Sequence, residues 1–198
     1  MIEMDMLEEL TYIYGQSNKP IDSIPLGKYT VGYAGCGPIA VHNTLCYLDV
    51  QTDFQEVIEY FEDNRGLVLG GLVGTRSKIC AKYLKSKDIE IDYIRHAWRY
   101  QKKLDEVVKS KRGVIVQYAG FSPIERLEDE HEGEGSSINT SFRIGGHYIA
   151  TRYNEVDDNF IMYNAYSNDT SERMTDSVRD HINSMYRFVF DMSYILII

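Results

Sequence analysis

Hydrophobic residues recur at three- and four-residue steps through the first half of the chain, which is the spacing of helices buried on one side. Val41, Leu45 and Leu48 form such a stripe and predict a helix from about residue 37 to 49. A glycine-rich stretch from 66 to 74 interrupts the pattern. The same spacing predicts three further helices, over residues 2–14, after an N-cap at Asp53, and around residues 79–84.

The second half contains short runs of β-branched and aromatic residues, which are typical of strands, and one predicted helix around residues 104–108. The predicted strands are residues 89–94, 113–119, 147–153, 160–164 and 186–197. Helices first and strands later predict the α+β class, with the strands joined in an antiparallel sheet. The chain has 198 residues, of which 43% are hydrophobic, so we expect one domain over residues 1–198.

The charge of the chain argues against some classes of binding partner. A net charge of −9 and a pI near 5.0 argue against binding to nucleic acid or to an anionic membrane, because both need clustered Lys and Arg. No apolar run reaches membrane-spanning length, and the acidic N-terminus is unlike a secretory signal. The odd number of cysteines argues against a disulfide framework, so we expect a reducing, cytoplasmic location.

Cys36 is the strongest candidate for chemistry. It lies between Gly35 and Gly37, and Pro38 follows in the predicted first turn of a helix. A helix N-terminus stabilises a thiolate through its dipole and its free N–H groups, and the glycines leave room for the backbone of a substrate. The alternative is a structural cysteine buried beside a helix start.

A thiol nucleophile needs an imidazole that accepts and returns its proton. His147 is the best candidate, because it begins a predicted strand directly after two glycines. His42 lies six residues along the helix of Cys36 and is expected to point away from the thiol. The remaining histidines, at positions 96, 131 and 181, fit surface or structural roles equally well.

An imidazole base also needs a group that orients it, and the predicted hairpin after His147 supplies Asn164. If the chain folds back at residues 155–157, Asn164 lies opposite or diagonal to His147. The alternative is that Asn164 marks only the end of a strand.

These three motifs together resemble the papain-like cysteine peptidases, especially the bacterial peptidases that process double-glycine bacteriocin leaders. The similarity lies in Cys36-Gly37-Pro38, in Gly146-His147-Tyr148 and in an amide, Asn164, that ends the next strand. The resemblance implies a papain-like fold, in which the catalytic cysteine starts a helix packed on an antiparallel sheet. It also implies that Cys36 is the nucleophile, His147 the general base and acid, and Asn164 the residue that orients the imidazole.

Two features depart from that family. A Gln usually stands six residues before the cysteine and supplies one arm of the oxyanion hole, and this chain has Thr30 there. We therefore expect the oxyanion hole to use the backbone of Cys36 together with Thr30, with Tyr29 and Tyr33 as alternatives to Thr30. The interval from Cys36 to His147 is 147 − 36 = 111 residues, shorter than the roughly 130–150 typical of papain and the cathepsins.

The sequence thus predicts a cysteine hydrolase that cleaves peptide or amide bonds, without a metal or another cofactor, on a peptide or protein substrate. Gly35, Gly37 and Gly146 are its candidate substrate contacts. A weakly active or inactive peptide-binding module, and an acyltransferase or deamidase, remain alternatives because they share the same residues. The acidic segment from 125 to 135 fits a flap that attracts cationic peptides better than a metal site. The oligomeric state stays open.

Overall fold

The structure, a computed structural model, describes residues 11–124, 141–166, 168–186 and 188–198, and of residues 122–124 and 141–144 it describes only the backbone. Helices from the first half of the chain pack on an antiparallel sheet built by the second half, so the predicted α+β class is confirmed. None of the helices within these ranges is long and apolar enough to cross a membrane.

Six α-helices occur in the described ranges. They are α1 (Val31–Ala34), α2 (Cys36–Tyr47), α3 (Phe54–Asp63), α4 (Ser77–Ser86), α5 (Leu104–Lys109) and α6 (Val178–Met185). The helix predicted after the N-cap at Asp53 is confirmed, since the Asp53 carboxylate accepts the Gln55 N–H at 2.9 Å. Residues 11–14 of the first predicted helix are not helical, and residues 2–10 lie outside the described part.

A two-stranded hairpin, β1 (Pro25–Leu26) and β2 (Tyr29–Thr30), precedes α1. The main sheet has six strands in the order β3-β8-β4-β5-β6-β7, all antiparallel to their neighbours. The strands are β3 (Ile91–Ile94), β4 (Gly113–Ile124), β5 (Ser141–Asn154), β6 (Asn159–Tyr163), β7 (Arg173–Thr175) and β8 (Phe188–Ile197). All the predicted strands form, and the three-residue β7 is added to them.

One predicted boundary is wrong. His147 does not begin its strand, because β5 starts six residues earlier at Ser141. Gly145 and Gly146 do not break the strand, since they continue the pairing with β4 opposite Gly120 and Ala119. His147 is therefore held in the middle of a long paired strand.

The sheet separates two hydrophobic cores, because side chains alternate between its faces. One core contains Cys36, Leu45, Tyr148 and Ala150, and it joins α2, α3 and α4 to the sheet. The other contains Tyr118 and residues of α5 and α6. Helix α2 is buried along residues 36–46, since it packs on β5 as well as on α3 and α4. Burial on all sides fixes its N-terminus firmly against β5.

Candidate active site

The thiol of Cys36 lies at an edge of β5. Strand β6 pairs with β5 only from Ala150 toward the hairpin turn, so the edge near residue 148 is left to the start of α2. The main-chain N–H of Tyr148 acts on Cys36 Sγ from this edge, and the N–H groups of Gly37 and Cys36 act on it from the helix. The thiol therefore contacts the peptide group that joins His147 to Tyr148.

Two opposing effects set the pKa of this thiol. Cys36 is only 6% exposed, and its desolvation raises the pKa to about 11. The three main-chain N–H groups favour the thiolate and lower the pKa, but burial outweighs them. Cys36 is therefore a protonated thiol at neutral pH, surrounded by groups that stabilise the thiolate once its proton is removed.

His147 projects from β5 into the second core. Its ring meets the ring of Tyr118 edge-on, with the centroids 6.1 Å apart, and Tyr118 is its cross-strand neighbour on β4. Its Nε2 lies 2.6 Å from the main-chain carbonyl oxygen of Asn164. A carbonyl oxygen only accepts hydrogen bonds, so Nε2 must carry a proton and donate it.

This hydrogen bond fixes the chemical state of the imidazole. Burial lowers the pKa of His147, so the ring is neutral near pH 7. A neutral imidazole carries one proton, and here that proton is on Nε2, which leaves a basic lone pair on Nδ1. The ring is thus held in the tautomer that accepts a proton through Nδ1.

Asn164 holds the imidazole through its backbone, whereas its side chain has another partner. The residue follows β6 directly and lies diagonal to His147, as the hairpin predicted, with φ of 57°. Its Oδ1 accepts the main-chain N–H of Gln16 at 3.1 Å. Its Nδ2 is buried and has no partner among the described residues. The side chain therefore ties the site to the N-terminal segment.

Gln16 is a buried residue of the site that the sequence did not reveal. Its Nε2 donates to the Gly32 carbonyl at 3.0 Å, while Oε1 is buried without a partner in the described part of the chain. The bond to Gly32 uses one of the two N–H donors of the Gln16 amide. Its partner Asn164 is 148 residues away, so local sequence gave no signal for the contact.

A polar cluster lies behind His147 on the α6 side. His181 is 9% exposed, its ring meets Tyr166 edge-on at 5.0 Å, and burial lowers its pKa. The buried carboxylate of Asp169 is 2.6 Å from Arg173 and accepts the Tyr166 N–H. Its negative charge raises the pKa of both histidines, but less than burial lowers it. Sequence reasoning gave His181 no special role and did not single out Asp169.

The Cys36 thiol contacts the backbone next to His147 but is not bonded to its imidazole. Within the described residues, no hydrogen bond joins Cys36 Sγ to the ring of His147, and the Nδ1 atom takes no part in the bond to Asn164. The side chains of Tyr148 and His147 lie on opposite faces of the sheet, Tyr148 in the core of α2 and His147 toward the other core. The thiol contacts the strand backbone where these two residues join. Catalytic hydrogen bonds are often long before a substrate binds.

The residues expected near an oxyanion lie beside the helix start. Thr30 is exposed, and its side chain does not cap α1. The rings of Tyr29 and Tyr33 stack with their centroids 4.7 Å apart, and the Tyr33 hydroxyl donates to the Leu72 carbonyl at 3.3 Å. Of these three residues, Tyr33 therefore has a hydroxyl that is already bonded. The roles of Thr30 and of the Cys36 backbone stay predictions.

The three glycines differ in what surrounds them. A side chain at Gly35 would collide with Val31, and one at Gly37 would collide with the Thr75 hydroxyl. Packing within the protein thus explains both of these glycines without a substrate. Gly146 is exposed, and its nearest neighbour is the Tyr118 carbonyl oxygen, 3.3 Å from an added Cβ. Their roles as substrate contacts stay predictions.

The other cysteines sit in different environments. His42 Nε2 bonds the Thr11 carbonyl at 3.0 Å and lies 3.5 Å from Cys46 Sγ. Burial raises the pKa of Cys46 to about 11 and lowers that of His42. Cys80 is fully buried, and its pKa is raised by burial and by the nearby Cys36. All three thiols are free.

A metal site needs several ligand side chains close together in space. Across residues 11–124, 141–166, 168–186 and 188–198, no three His, Cys, Asp or Glu side chains lie close enough together to bind an ion. The acidic segment from 125 to 135 lies outside the described residues.

With this geometry in hand, we compared the chain with protein-family models and with curated proteins, and neither comparison gave a match. The chemistry of the site therefore has to be argued from its own residues.

Proposed function

We propose that this protein is a cysteine-dependent hydrolase of the papain-like kind that cleaves peptide or amide bonds. Cys36 is the nucleophile, His147 is the general base and acid, and Asn164 orients the imidazole. The observation that carries the proposal is the tautomer of His147. Its Nε2–H is bonded to Asn164, so the lone pair is on Nδ1, on a residue adjacent to the backbone group that contacts the thiol.

In the first step, Cys36 Sγ attacks the carbonyl carbon of the scissile amide and His147 Nδ1 takes the thiol proton. The imidazolium then gives this proton to the leaving nitrogen, the C–N bond breaks and a thioester forms. Water attacks the thioester while Nδ1 accepts a proton from it. The C–S bond breaks, and the proton returns to the thiol.

The main-chain groups around the site favour the charges that this cycle creates. The N–H groups of Tyr148, Gly37 and Cys36 stabilise negative charge on sulfur, and the carbonyl of Asn164 stabilises the imidazolium. Because burial raises the pKa of Cys36 and lowers that of His147, the resting pair is neutral. The proton is therefore transferred during attack and not before it.

A second candidate is a binding module with the same fold and no turnover. It is favoured by the burial of Cys36, which is 6% exposed, and by the absence, within the described residues, of a bond between its sulfur and His147. A buried, protonated thiol without a base is the ordinary state of a structural cysteine.

Alkylation with iodoacetamide at neutral pH separates the two candidates. The hydrolase hypothesis predicts that Cys36 reacts at least about 10-fold faster than Cys46 and Cys80, because His147 keeps its lone pair on Nδ1, whereas the His42 nitrogen beside Cys46 donates its proton to the Thr11 carbonyl. The selectivity is expected to disappear in His147→Ala and to persist in His42→Ala, which removes the imidazole beside Cys46. Peptide mapping by mass spectrometry gives the rates, and equal or absent labelling of Cys36 would favour the binding module.

A further inference from the structure

A cavity of about 370 Å³ opens on the same side of the sheet as α2. Its floor is a row of side chains from adjacent strands, Tyr148 on β5, Gln117 on β4 and Ser193 on β8, which are paired in register. The start of α4 forms one wall, and the end of β3 forms the other. Tyr148 connects the cavity to the candidate active site, since its backbone contacts the Cys36 thiol.

The walls of the cavity are positively charged. Arg76 and Lys78 line it from the start of α4, and Arg95 lines it from the segment after β3. All three are exposed, and none of them forms an ion pair within the described residues. Among the described residues, Asp191 is the one carboxylate that lines the cavity, and it lies 3.9 Å from His96. Unpaired cations grouped around a concave surface are unusual in a chain with a net charge of −9.

The start of α4 adds to the preference of the cavity for a negatively charged ligand. Helix α4 has ten residues and begins at this wall, and no side chain caps its N-terminus, so its first N–H groups and its dipole favour an anion. Thr75 also lines the cavity and is 8% exposed, and its Oγ1 is buried without a partner among the described residues. This oxygen faces Gly37 at the start of α2 and is therefore not open to a ligand in the cavity.

We propose that this cavity binds a carboxylate carried by a peptide ligand, such as the side chain of Glu or Asp. Carboxylates form charge-assisted hydrogen bonds with Arg, and the neutral polar floor can hold the peptide groups beside the carboxylate. Asp191 disfavours a doubly charged phosphate in the same space. As a substrate subsite the cavity rests on the proposed function, and it would then select substrates with an acidic residue beside the scissile bond.

The test is a titration followed by NMR of the full chain with N-acetyl-L-glutamate α-amide (the glutamate compound), N-acetyl-L-glutamine α-amide (the glutamine compound) or inorganic phosphate. Saturable shifts of the amides of Ser77, Lys78 and Gln117 are expected with the glutamate compound. The uncharged glutamine compound is expected to bind at least about 10-fold more weakly, since a hydrogen bond to a charged group contributes about 1.5–3 kcal/mol. Equal binding of the two compounds, or tighter binding of phosphate, would overturn the carboxylate assignment.

Variants assign the binding to the cavity. Arg76→Gln and Arg95→Gln are each expected to weaken binding of the glutamate compound about 10-fold, because each removes one charged donor. Arg99→Gln is the matched control, since Arg99 is exposed and stacks on Trp98 without lining the cavity. Unchanged affinity in both cavity variants would contradict the proposal.

The same titration on Cys36→Ser keeps the two proposals apart. Binding is expected to be unchanged, because the thiol does not line the cavity. If the glutamate compound binds while Cys36 shows no selective alkylation, the hydrolase proposal fails and the carboxylate site stands. If Cys36 is selectively alkylated and the compound does not bind, the carboxylate site fails alone.

Discussion

The two halves of the candidate active site are held by opposite kinds of backbone group. Cys36 starts a buried helix, and its sulfur faces main-chain N–H groups, which favour negative charge. His147 sits in the middle of a paired strand, and its Nε2 faces a main-chain carbonyl, which favours positive charge. Each half would therefore stabilise the charge that its side chain gains in the proposed transfer of a proton from sulfur to nitrogen. Burial keeps both side chains neutral until then.

The largest effects are expected when either half is removed. Cys36→Ala and His147→Ala should each lower hydrolysis by about 10⁴-fold or more, because residues of a catalytic unit act together. Cys46→Ala is the control, since that thiol is buried in another environment beside His42. Steady-state rates on a peptide substrate provide the measurement. Residual activity near that of the wild type in either variant would exclude the assigned roles.

Weakening the helix that carries the thiol should cost stability. Leu45 is fully buried in the core of α2. Leu45→Ala is expected to lower the free energy of unfolding by about 2–5 kcal/mol, as is usual for a large core residue replaced by Ala. Urea denaturation measures this change. A loss well below 1 kcal/mol would mean that α2 is less firmly packed than the structure indicates.

In the proposed mechanism Asn164 orients the imidazole through its main-chain carbonyl. Replacing its side chain should therefore lower the rate less than displacing its backbone. Asn164→Gly keeps the carbonyl and tolerates φ of 57°, and we expect the rate to fall less than about 10-fold. Stability should fall by about 1–3 kcal/mol, because the Gln16 N–H loses its acceptor. Asn164→Val is the contrast, since a β-branched residue disfavours this φ and should displace the carbonyl.

If Asn164→Gly abolished activity as completely as His147→Ala does, the side chain and not the carbonyl would orient the ring. Measuring both variants with the same substrate gives this comparison directly.

The smallest effect is the pH dependence of stability. Burial lowers the pKa of His147, His181 and His42 below the ordinary value of 6.5. The unfolded chain therefore binds protons at these sites before the native state does, so stability is complete above pH 6.5 and falls as the pH decreases below it. Each histidine contributes at most about 1.4 kcal/mol per pH unit.

Urea denaturation at pH 8 and pH 5.5 measures this loss. His181→Gln is expected to make it smaller by removing one of the three contributions. A loss that is the same in His181→Gln and in the wild type would mean that His181 is not held neutral in the native state.

The sequence predicted which residues of the candidate site lie near each other, but not which of their atoms form hydrogen bonds. The run of strand residues and the turn after residue 153 were enough to predict that Asn164 lies opposite or diagonal to His147, because antiparallel register follows from the turn. Register does not determine which atom of Asn164 forms the bond, and the side chain was expected where the carbonyl is used. The start of β5 was missed because two glycines look like a break, although their pairing with β4 continues.

Other parts of the site depend on contacts that no local pattern reports. Gln16 reaches Asn164 across most of the chain, and the cations of the cavity come from α4 and from the segment after β3. Net charge is a sum over the whole chain, so it does not reveal a local basic cavity in an acidic protein. Cys36 became a candidate because glycines, proline and a helical stripe occur together within a few residues, and its position at a helix start is confirmed.

The central claim is that His147 is a neutral base with its proton on Nε2. Long-range proton–nitrogen NMR of the histidine-labelled protein at pH 7 reports the protonation of each ring nitrogen, and His147→Gln assigns the signal. We predict a protonated Nε2 and an unprotonated Nδ1. A ring protonated on Nδ1, alone or together with Nε2, would contradict the account, because Nδ1 would then have no lone pair for the proton of Cys36.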